Sequence, residues 1–238
     1  MLLSEAFTSS ARRYDLLTRL NPGYQRELRR AARKLATMLD HTGRPVIWDL
    51  GCGTGLSTRA LLKAMPHAKI IGVDASAGML EAARAKDWPE GTRFILDRVE
   101  NLVANPQLDE TPDGVFAAYL LRNIPAEDRT EVLASIREFM GPDSPLVLHD
   151  YSVADSNAAR AKWTLVCFMI VIPLAALTGA KTSLFTYLWR SVMDNDTTAN
   201  VLKRLATAGF RDTTVSTAKG WHRKVLYTYT ARNQGSRA

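Results

Sequence analysis

The chain has 238 residues, a net charge of +7 and two cysteines. This length allows one full hydrophobic core with a helical appendage, and the composition excludes a low-complexity or repeat protein. The cysteines, Cys52 and Cys167, form no metal-binding or redox spacing, which is typical of a reduced cytoplasm. The start, MLLSEAFTSSARRYD, lacks the apolar segment of a secretory signal, so we expect a cytoplasmic protein.

The first forty residues are rich in arginine and predict a helical lid at 1–40 that precedes a main domain at 41–238. Within the predicted lid, residues 24–39 have the periodicity of an amphipathic helix with arginines opposite the apolar stripe. The arginine excess is a solvated helix face, or it attracts anionic lipid or nucleic acid. The apolar stripe consists of Tyr24, Leu28, Ala32, Leu35 and Leu39.

From residue 46 onward, short β-branched runs alternate with helical patterns, which predicts a parallel sheet covered by helices on both faces. The tail differs, because a predicted helix is followed by two strands with no helix between them, and we therefore expect an antiparallel pair at the sheet edge. The predicted strands are 46–49, 68–74, 92–96, 113–121, 145–151, 212–218 and 223–232. The predicted helices in this region are 56–65, 77–86, 126–140 and 197–208.

Between the fifth strand and the tail lies an uncharged run, WTLVCFMIVIPLAALTGA, at residues 163–180. Its length is close to that of a membrane span. Pro173 and the small residues near its end argue against a span, as does its position inside an α/β domain. We expect an apolar helical insertion, as one helix or a pair, over the ligand cleft that could also touch the bilayer.

The most informative stretch is VIWDLGCGTGLSTRALLK, at residues 46–63. A strand breaks into three glycines and then into a helix, which is the arrangement of a nucleotide-binding turn. The spacing is G-x-G-x-G, whereas dinucleotide folds use G-x-G-x-x-G. Asp49, at the end of the first strand, would attract an amino group and repel a pyrophosphate. Asp74 ends the second strand, where a carboxylate binds ribose hydroxyls. A ligand with ribose hydroxyls, an ammonium group and no phosphate is S-adenosylmethionine.

The motifs DLGCGTG and GVDASAGML, together with the strand order, resemble the class I S-adenosylmethionine-dependent methyltransferases. The resemblance implies a Rossmann-like α/β fold with a seven-stranded, mostly parallel sheet and an antiparallel last strand. RRYDLLTRLNPGYQRELRR, YLLRNIPAEDR and TYLWRSVMDNDTTANVLKRLATAGF further resemble the ubiquinone/menaquinone biosynthesis C-methyltransferases. The chain departs from that family where Leu120 replaces a glycine, where Arg98-Val99 stands for an Asp-Ala or Asn-Ala pair, and where Tyr227-Thr228-Tyr229 replaces HRGY.

The resemblance also implies which residues hold the cofactor. The glycine turn would surround the methionine part, and the carboxylate that ends the second strand would hold the ribose. Ala75 and Met79 would flank the adenine, the residues after the third strand would meet its amino edge, and Tyr14 would close over the site. The expected cofactor-binding residues are Tyr14, Asp49, Gly51, Gly53, Thr54, Gly55, Asp74, Ala75, Met79, Asp97, Arg98, Val99 and Ala118.

Methyl transfer from a sulfonium is an in-line displacement, to which the protein contributes alignment and exclusion of water. If the acceptor is a ring carbon of a quinol, the protein must also help to form and stabilise a phenolate. Arg122 is the expected anion stabiliser, and His149 and Asp150 are the candidate bases, of which strand alternation lets only one face the cleft. No cluster has metal-ligand spacing, and His67 and His222 are expected on the surface.

The sequence therefore predicts a methyltransferase of a small lipophilic acceptor, such as a prenylated quinol. An apolar cover suits such a substrate, because burying each methylene contributes about 0.8 kcal/mol. The alternatives are O-methylation of a fatty acid or phenolic compound, methylation of nucleic acid, and a non-catalytic cofactor-binding module. We expect no nucleic-acid partner, because YLLRNIP stands where an Asn/Asp-Pro-Pro-aromatic motif would lie. The expected location is the cytoplasm, with peripheral contact at the inner face of the membrane as the alternative.

Overall fold

A computed structural model describes residues 22–39, 43–177 and 182–235. Seven strands form one sheet in the order β3-β2-β1-β4-β5-β7-β6. The strands are β1 Val46–Leu50, β2 Lys69–Asp74, β3 Thr92–Leu96, β4 Gly114–Ala118, β5 Pro145–Tyr151, β6 Phe210–Thr217 and β7 Leu226–Asn233. The helices are α1 Pro22–Met38, α2 Leu56–Ala64, α3 Ala77–Arg84, α4 Arg129–Phe139, α5 Asn157–Val166, α6 Ile172–Leu177, α7 Thr182–Met193 and α8 Thr198–Thr207.

The sheet has the predicted topology. Strands β1 to β5 pair in parallel, whereas β7 runs antiparallel to both of its neighbours, β5 and β6. This confirms the Rossmann-like, mostly parallel sheet and the antiparallel pair at its edge. The strand order reverses at β1, which lies between β2 and β4, and open α/β sheets bind their ligands beyond the carboxyl ends of the strands at such a point.

The five inner strands, β1, β2, β4, β5 and β7, are buried on both faces because their side chains alternate between two cores. Ile47 and Phe116 point to one face, where they pack in a single cluster with residues of α1, α2 and α5. Trp48 and Val115 point to the other face and pack with residues of α4 and α8. Both faces are therefore covered by helices, as the alternating sequence pattern predicts.

The α1 helix belongs to the first of these cores. Leu28 and Leu35 are almost fully buried, and Tyr24 at its start is 7% exposed. This confirms the amphipathic helix predicted near 24–39. The predicted boundary at residue 40 lies outside the described residues, so the division into a lid at 1–40 and a domain at 41–238 stays a prediction.

The fourth strand is shorter than its sequence pattern predicts. It ends at Ala118 because Tyr119 adopts a φ of 60°, which no strand residue has. The chain then forms a 3₁₀ turn at Leu121–Asn123 instead of continuing to residue 121 as a strand. This sharp exit brings the YLLRN stretch back over the end of the sheet.

The uncharged run forms helix, as predicted over its described part. α5 passes into a π-helical turn at Cys167–Val171, which α6 follows. The wider turn has a local cause, because Pro173 has no N–H to donate to the carbonyl of Met169 and its ring would collide with that carbonyl in an α-helix. Among the described residues, we find no helix with the length and apolar character needed to cross a bilayer.

One histidine prediction is wrong and one is confirmed. His67 is exposed, as expected, but His222 is completely buried. The 3₁₀ turn Gly220–His222 places the imidazole beneath the Trp221 ring, with their centroids 3.7 Å apart. Its Nε2 lies 3.3 Å from the Tyr151 hydroxyl.

Candidate active site

A cleft of about 460 Å³ opens at the carboxyl ends of β1 to β4. Its position agrees with the reversal of strand order at β1, and its size is within the range of small-molecule sites. Ten of the predicted cofactor residues line it, which are Gly51, Gly53, Thr54, Asp74, Ala75, Met79, Asp97, Arg98, Val99 and Ala118.

The glycine turn owes its composition to backbone shape and close packing. Gly51 and Gly55 have φ values of 69° and 84°, which side chains disfavour. A Cβ on Gly55 would lie 2.6 Å from the Trp88 ring. Gly55 does not line the cleft, so its contribution is to let Trp88 pack behind the turn. The backbone N–H of Gly51 donates to the carbonyl of Val73 at 2.8 Å, which fixes the turn to β2.

Asp49 lies beneath the turn and is fully buried. Its Oδ2 accepts hydrogen bonds from Ser57 Oγ at 2.8 Å and from Thr58 Oγ1 at 2.6 Å. Its Oδ1 has no hydrogen-bond partner in the described part of the chain. Burial raises the pKa of Asp49 to about 7, against the opposing effect of the two hydroxyls. A buried carboxylate with an unsatisfied oxygen favours a nearby cation, and the ammonium group of S-adenosylmethionine fits this requirement.

Asp74 lines the cleft at the end of β2. Its Oδ2 accepts from Gly53 N and its Oδ1 accepts from Ser76 N, both at 2.8 Å. Burial raises the pKa of Asp74, and these two hydrogen bonds oppose the rise. Since each carboxylate oxygen can accept a further hydrogen bond, this fixed side chain fits a pair of ribose hydroxyls. Ser76 then caps α3 by accepting from Met79 N at 3.3 Å, which positions Met79 in the cleft wall.

The residues after β3 form the far end of the cleft. Asp97 Oδ1 accepts from the backbone N–H of Arg98 at 2.8 Å, and its Oδ2 accepts from Asn105 Nδ2 at 2.6 Å. The Arg98 side chain turns to Glu100, with 3.1 Å between Nη2 and Oε1. These two hydrogen bonds fix the Asp97 carboxylate at this end of the cleft, where it can accept a hydrogen bond from an amino group.

Arg122 lies at the opposite end of the cleft, in the turn after β4. It is buried, and its Nε is 3.1 Å from Asp150 Oδ1, while its backbone N–H donates to Asp150 Oδ2 at 3.1 Å. Burial raises the pKa of Asp150, and the Arg122 guanidinium opposes that rise. The guanidinium carbon is 5.8 Å from the Tyr119 ring centroid, within the range of a cation–π contact. Arg122 lines the cleft, whereas Asp150 is behind it and orients Arg122.

His149 is also behind the cleft wall and is fully buried. Its Nδ1 is 2.9 Å from Thr228 Oγ1, and its Nε2 has no hydrogen-bond partner among the described residues. Burial, together with His222, lowers the pKa of His149 to about 3, so the imidazole is neutral at pH 7. An imidazole of such low basicity that does not line the cleft is poorly suited to take a proton from a ligand there.

A column of four stacked aromatic rings runs from the cleft to α5. The centroid distances are 5.0 Å from Tyr24 to Tyr119, 5.4 Å from Tyr119 to Tyr151, and 5.2 Å from Tyr151 to Trp163. Tyr24 and Tyr119 line the cleft beside Arg122, and sequence reasoning did not place them in the site. Tyr119 follows the last residue of β4, and that position at a strand's carboxyl end is a signal that could have identified it.

Asn123 is a second cleft residue that sequence reasoning missed. Its Nδ2 donates to the carbonyl of Tyr119 at 2.8 Å, and its Oδ1 accepts from the Tyr187 hydroxyl at 3.3 Å. It thus ties α7 to this end of the cleft.

Of the other predicted residues, Tyr14 lies outside the described residues. Among the described residues, no group of three or more His, Cys, Asp or Glu is arranged to hold a metal ion.

In the predicted apolar cover, the residues whose side chains the structure describes, 163–173 and 176, contribute nothing to the lining of the cleft. Trp163 and Cys167 are buried, whereas Leu165, Phe168, Met169 and Ile170 are exposed. The prediction that this insertion covers the cleft therefore stays a prediction.

Comparisons with known proteins identify the family of the chain. A family model described as a methyltransferase domain matches residues 47–143. The demethylmenaquinone methyltransferase of Deinococcus radiodurans is 33% identical over 213 residues, which cover 88% of this chain and 85% of that protein. The ubiquinone/menaquinone biosynthesis C-methyltransferase of Geobacter sulfurreducens is 28% identical over 215 residues, which cover 89% and 81%.

Among solved structures, a methyltransferase from Archaeoglobus fulgidus that depends on S-adenosylmethionine matches with a TM-score of 0.63 and 16% identity, over 92% of this chain and 99% of that chain. At this identity the likeness concerns the fold. The cofactor of the present protein is S-adenosylmethionine, and its cleft is lined by Asp74, Asp97 and two glycines of the glycine turn, Gly51 and Gly53. The chain belongs to the class I S-adenosylmethionine-dependent methyltransferases, in the family of the demethylmenaquinone and ubiquinone/menaquinone C-methyltransferases.

Proposed function

We propose that the protein methylates a ring carbon of a prenylated quinol. The observation that carries this proposal is the pairing of a buried cation with aromatic side chains at one end of the cleft, where Arg122 lies beside Tyr119 and Tyr24 stacks on Tyr119. A phenolate ring requires both features, because the cation stabilises its charge and the aromatic side chains give the ring an apolar wall. The names of the two curated relatives, which concern menaquinone and ubiquinone precursors, support the same acceptor class.

We assign the other end of the cleft to the cofactor, which when bound supplies an electrophilic methyl group on a sulfonium. In this proposal Asp74 binds the ribose hydroxyls and Asp97 accepts a hydrogen bond from the adenine amino group. Asp49 supplies the negative charge that attracts the ammonium group through the glycine turn. These contacts align the cofactor with an acceptor held by Arg122, and alignment is the main contribution that a protein makes to this displacement.

Arg122 also supplies the activation that a carbon nucleophile needs. A quinol ring attacks best as its phenolate, and a neighbouring guanidinium lowers the pKa of a bound phenol because it favours the charged form. The phenolic proton can then pass to solvent at the mouth of the cleft. As the carbon–carbon bond forms and the methyl–sulfur bond breaks, the phenolate ring becomes a neutral dienone. The methylated ring carbon then loses its proton to water, which restores the aromatic phenolate, and the phenolate oxygen takes up a proton from water to give the methylated quinol. Neither His149 nor Asp150 is needed as the base in this scheme, and Asp150 serves to hold Arg122.

O-methylation of a lipophilic carboxylic acid is the second candidate, because Arg122 would pair with a carboxylate as readily as with a phenolate. We propose no nucleic-acid partner. We further propose that the enzyme works in the cytoplasm at the inner face of the membrane, where a prenylated acceptor is dissolved.

The test uses the purified full chain, methyl-labelled S-adenosylmethionine, and either reduced demethylmenaquinone or palmitic acid. We expect label in a base-stable carbon–methyl product of the quinol, and a loss of at least about a hundredfold in kcat/KM for Arg122→Met, since a buried charge contact is removed. Arg122→Lys keeps the charge but loses the planar guanidinium, so its kcat/KM should lie between that of wild type and that of Arg122→Met. A base-labile methyl ester of palmitate would identify the second candidate, and transfer to neither acceptor would overturn the proposal.

A further inference from the structure

Four neighbouring apolar side chains project outward from the end of α5 and the π-helical turn. Their exposed fractions are 63% for Leu165, 49% for Phe168, 68% for Met169 and 58% for Ile170. They are four of the seven large hydrophobic residues that are exposed in the described part of the chain. We call these four residues the apolar patch. A concentration of exposed apolar side chains at one place marks a surface that binds something.

The packing of the segment separates the patch from the active site. The segment is anchored through its inner face, where Trp163 stacks on Tyr151 and Cys167 is completely buried. Phe168 also contacts the Trp189 ring of α7 edge-on, with the two centroids 5.5 Å apart. All four patch side chains nevertheless keep about half or more of their surface exposed, and none of them lines the cleft. Their apolar character needs an explanation outside both the core and the catalytic cleft.

A basic loop is fastened beside the patch. Lys162 Nζ donates to the carbonyl of Trp221 at 2.8 Å and to that of Arg223 at 2.9 Å. Lys162 and Leu165 are three residues apart on α5 and so share a helix face. The loop, residues 219–224, exposes Trp221 together with Lys219, Arg223 and Lys224, and it contains no acidic residue.

These neighbours define the chemistry of the partner. An exposed tryptophan among cations, next to aliphatic and aromatic side chains, is the composition of a protein surface that enters the headgroup region of a bilayer. The cations complement anionic lipid headgroups, to which each contributes roughly a fivefold gain in affinity. Neither the loop nor residues 157–177 contain an Asp or Glu that would be repelled by such a surface.

We propose that the apolar patch and the basic loop form the surface by which this enzyme docks on an anionic lipid membrane. The surface is at the same edge of the sheet as the cleft, because α5 follows the carboxyl end of β5 and the loop precedes the start of β7, where Tyr151 pairs with Leu226. Docking there presents the carboxyl edge of the sheet to the bilayer. The inference rests on the proposed function in one respect only: docking would give the enzyme access to an acceptor that is dissolved in the membrane.

A second copy of the chain is a weaker occupant. Stable protein interfaces use about 20–30 residues on each side, whereas this surface offers four patch residues and one loop tryptophan as apolar contacts. Its concentration of cations would also be repelled by an identical surface across a two-fold axis.

The experiment measures cosedimentation of the full chain with vesicles of phosphatidylcholine alone or of phosphatidylcholine mixed with phosphatidylglycerol. We expect wild-type protein to bind the mixed vesicles and to bind pure phosphatidylcholine much more weakly. Phe168→Asp with Met169→Asp should lower binding to mixed vesicles at least tenfold. Arg223→Gln with Lys224→Gln should lower it by on the order of tenfold and weaken the preference for anionic lipid. Val215→Asp, at another exposed apolar residue on β6, is the matched control and should bind as wild type does.

Affinity for S-adenosylmethionine, measured by calorimetry, checks that each variant is folded. No binding of wild-type protein to mixed vesicles, or equal binding by the patch variant and the Val215 control, would overturn the proposal. So would light scattering that shows a wild-type dimer which the patch variant breaks, because the surface would then belong to a second copy. The measurement involves no methyl transfer, so vesicle binding without activity on quinols would contradict the proposed acceptor and leave the docking surface standing.

Discussion

The carboxylate of Asp150 contacts Arg122 through both of its oxygens. Oδ2 accepts a hydrogen bond from the backbone N–H of Arg122 at 3.1 Å, and Oδ1 lies 3.1 Å from the guanidinium Nε. The two residues are on different elements, since Asp150 is in β5 and Arg122 is in the turn after β4. The pair therefore joins the fifth strand to the acceptor end of the cleft, and it keeps one buried charge neutralised by another.

We predict that Asp150→Asn lowers both stability and activity. The substitution keeps the shape of the side chain but leaves the buried Arg122 guanidinium without a counter-charge, and breaking such a pair costs about 3–5 kcal/mol. Urea unfolding measures the loss in free energy, and kcat measures the loss of a fixed Arg122. Asp128→Asn, on an exposed residue before α4 whose side chain makes no cap, is the control and should change neither quantity. An unchanged free energy of unfolding for Asp150→Asn would show that the pair contributes nothing.

We predict that Asp49 makes the ligand-free protein less stable as the pH rises. The pKa of Asp49 is about 7 in the folded state, against 3.8 for an ordinary Asp, so between these values the folded chain holds a proton that the unfolded chain has released. Its contribution to stability is therefore greatest at low pH and is lost as the pH rises through 7. Urea unfolding at pH 5.5 and pH 8.5 should show a larger decrease for wild type than for Asp49→Asn, which has no proton to lose. Parallel decreases in the two proteins would contradict a perturbed carboxyl group at this position.

We predict that Asp74→Ala weakens binding of S-adenosylmethionine and of its demethylated product by a similar factor. The two compounds share the ribose, and the loss of a charged hydrogen-bond acceptor costs about 1.5–3 kcal/mol, or about ten- to a hundredfold in affinity. Calorimetry with both ligands measures the two factors. Asp87→Ala, on an exposed carboxylate, should bind both ligands as wild type does. A loss confined to one ligand would place Asp74 at the sulfonium end of the cofactor.

We predict that Gly55→Ala is more destabilising than Gly53→Ala. Both glycines have positive φ, so an alanine at either position pays a backbone strain of about 1–2 kcal/mol. Only at Gly55 would the new methyl also meet a neighbour, since a Cβ there lies 2.6 Å from the Trp88 ring while Gly53 has open space within 4 Å. Overpacking adds about 1–3 kcal/mol, which urea unfolding can resolve. Equal losses at the two positions would mean that Trp88 moves aside freely.

The sequence was informative where local patterns set the structure. The glycine turn, Asp74 and the capped start of α3 depend on residues close together in the chain, and most of the predicted cofactor residues lie in the cleft. The tail after α8 could also be foreseen, because two strands without an intervening helix must pair in antiparallel fashion at an edge.

The acceptor end was harder to foresee because it depends on contacts between distant residues. In the sequence, Tyr24 is one member of the apolar face of a predicted helix. Only the packing of α1 on β4 stacks its ring against Tyr119. Tyr119 itself looks like a strand residue until its positive φ ends β4. The burial of His222 likewise depends on a turn at Gly220 that has a φ of 65° and folds the ring inward.

The inward and outward side chains of α5 and the π-helical turn are under different kinds of selection. Inward-facing Trp163 belongs to the aromatic column and Cys167 to the buried core on the same face of the sheet, and changing Trp163 disturbs packing that reaches the catalytic cleft. Of the outward residues, Phe168 contacts the Trp189 ring, whereas Leu165, Met169 and Ile170 make no such ring contact. Evolution can therefore exchange these three one by one, fitting the enzyme to bilayers of different composition while its chemistry stays as it is.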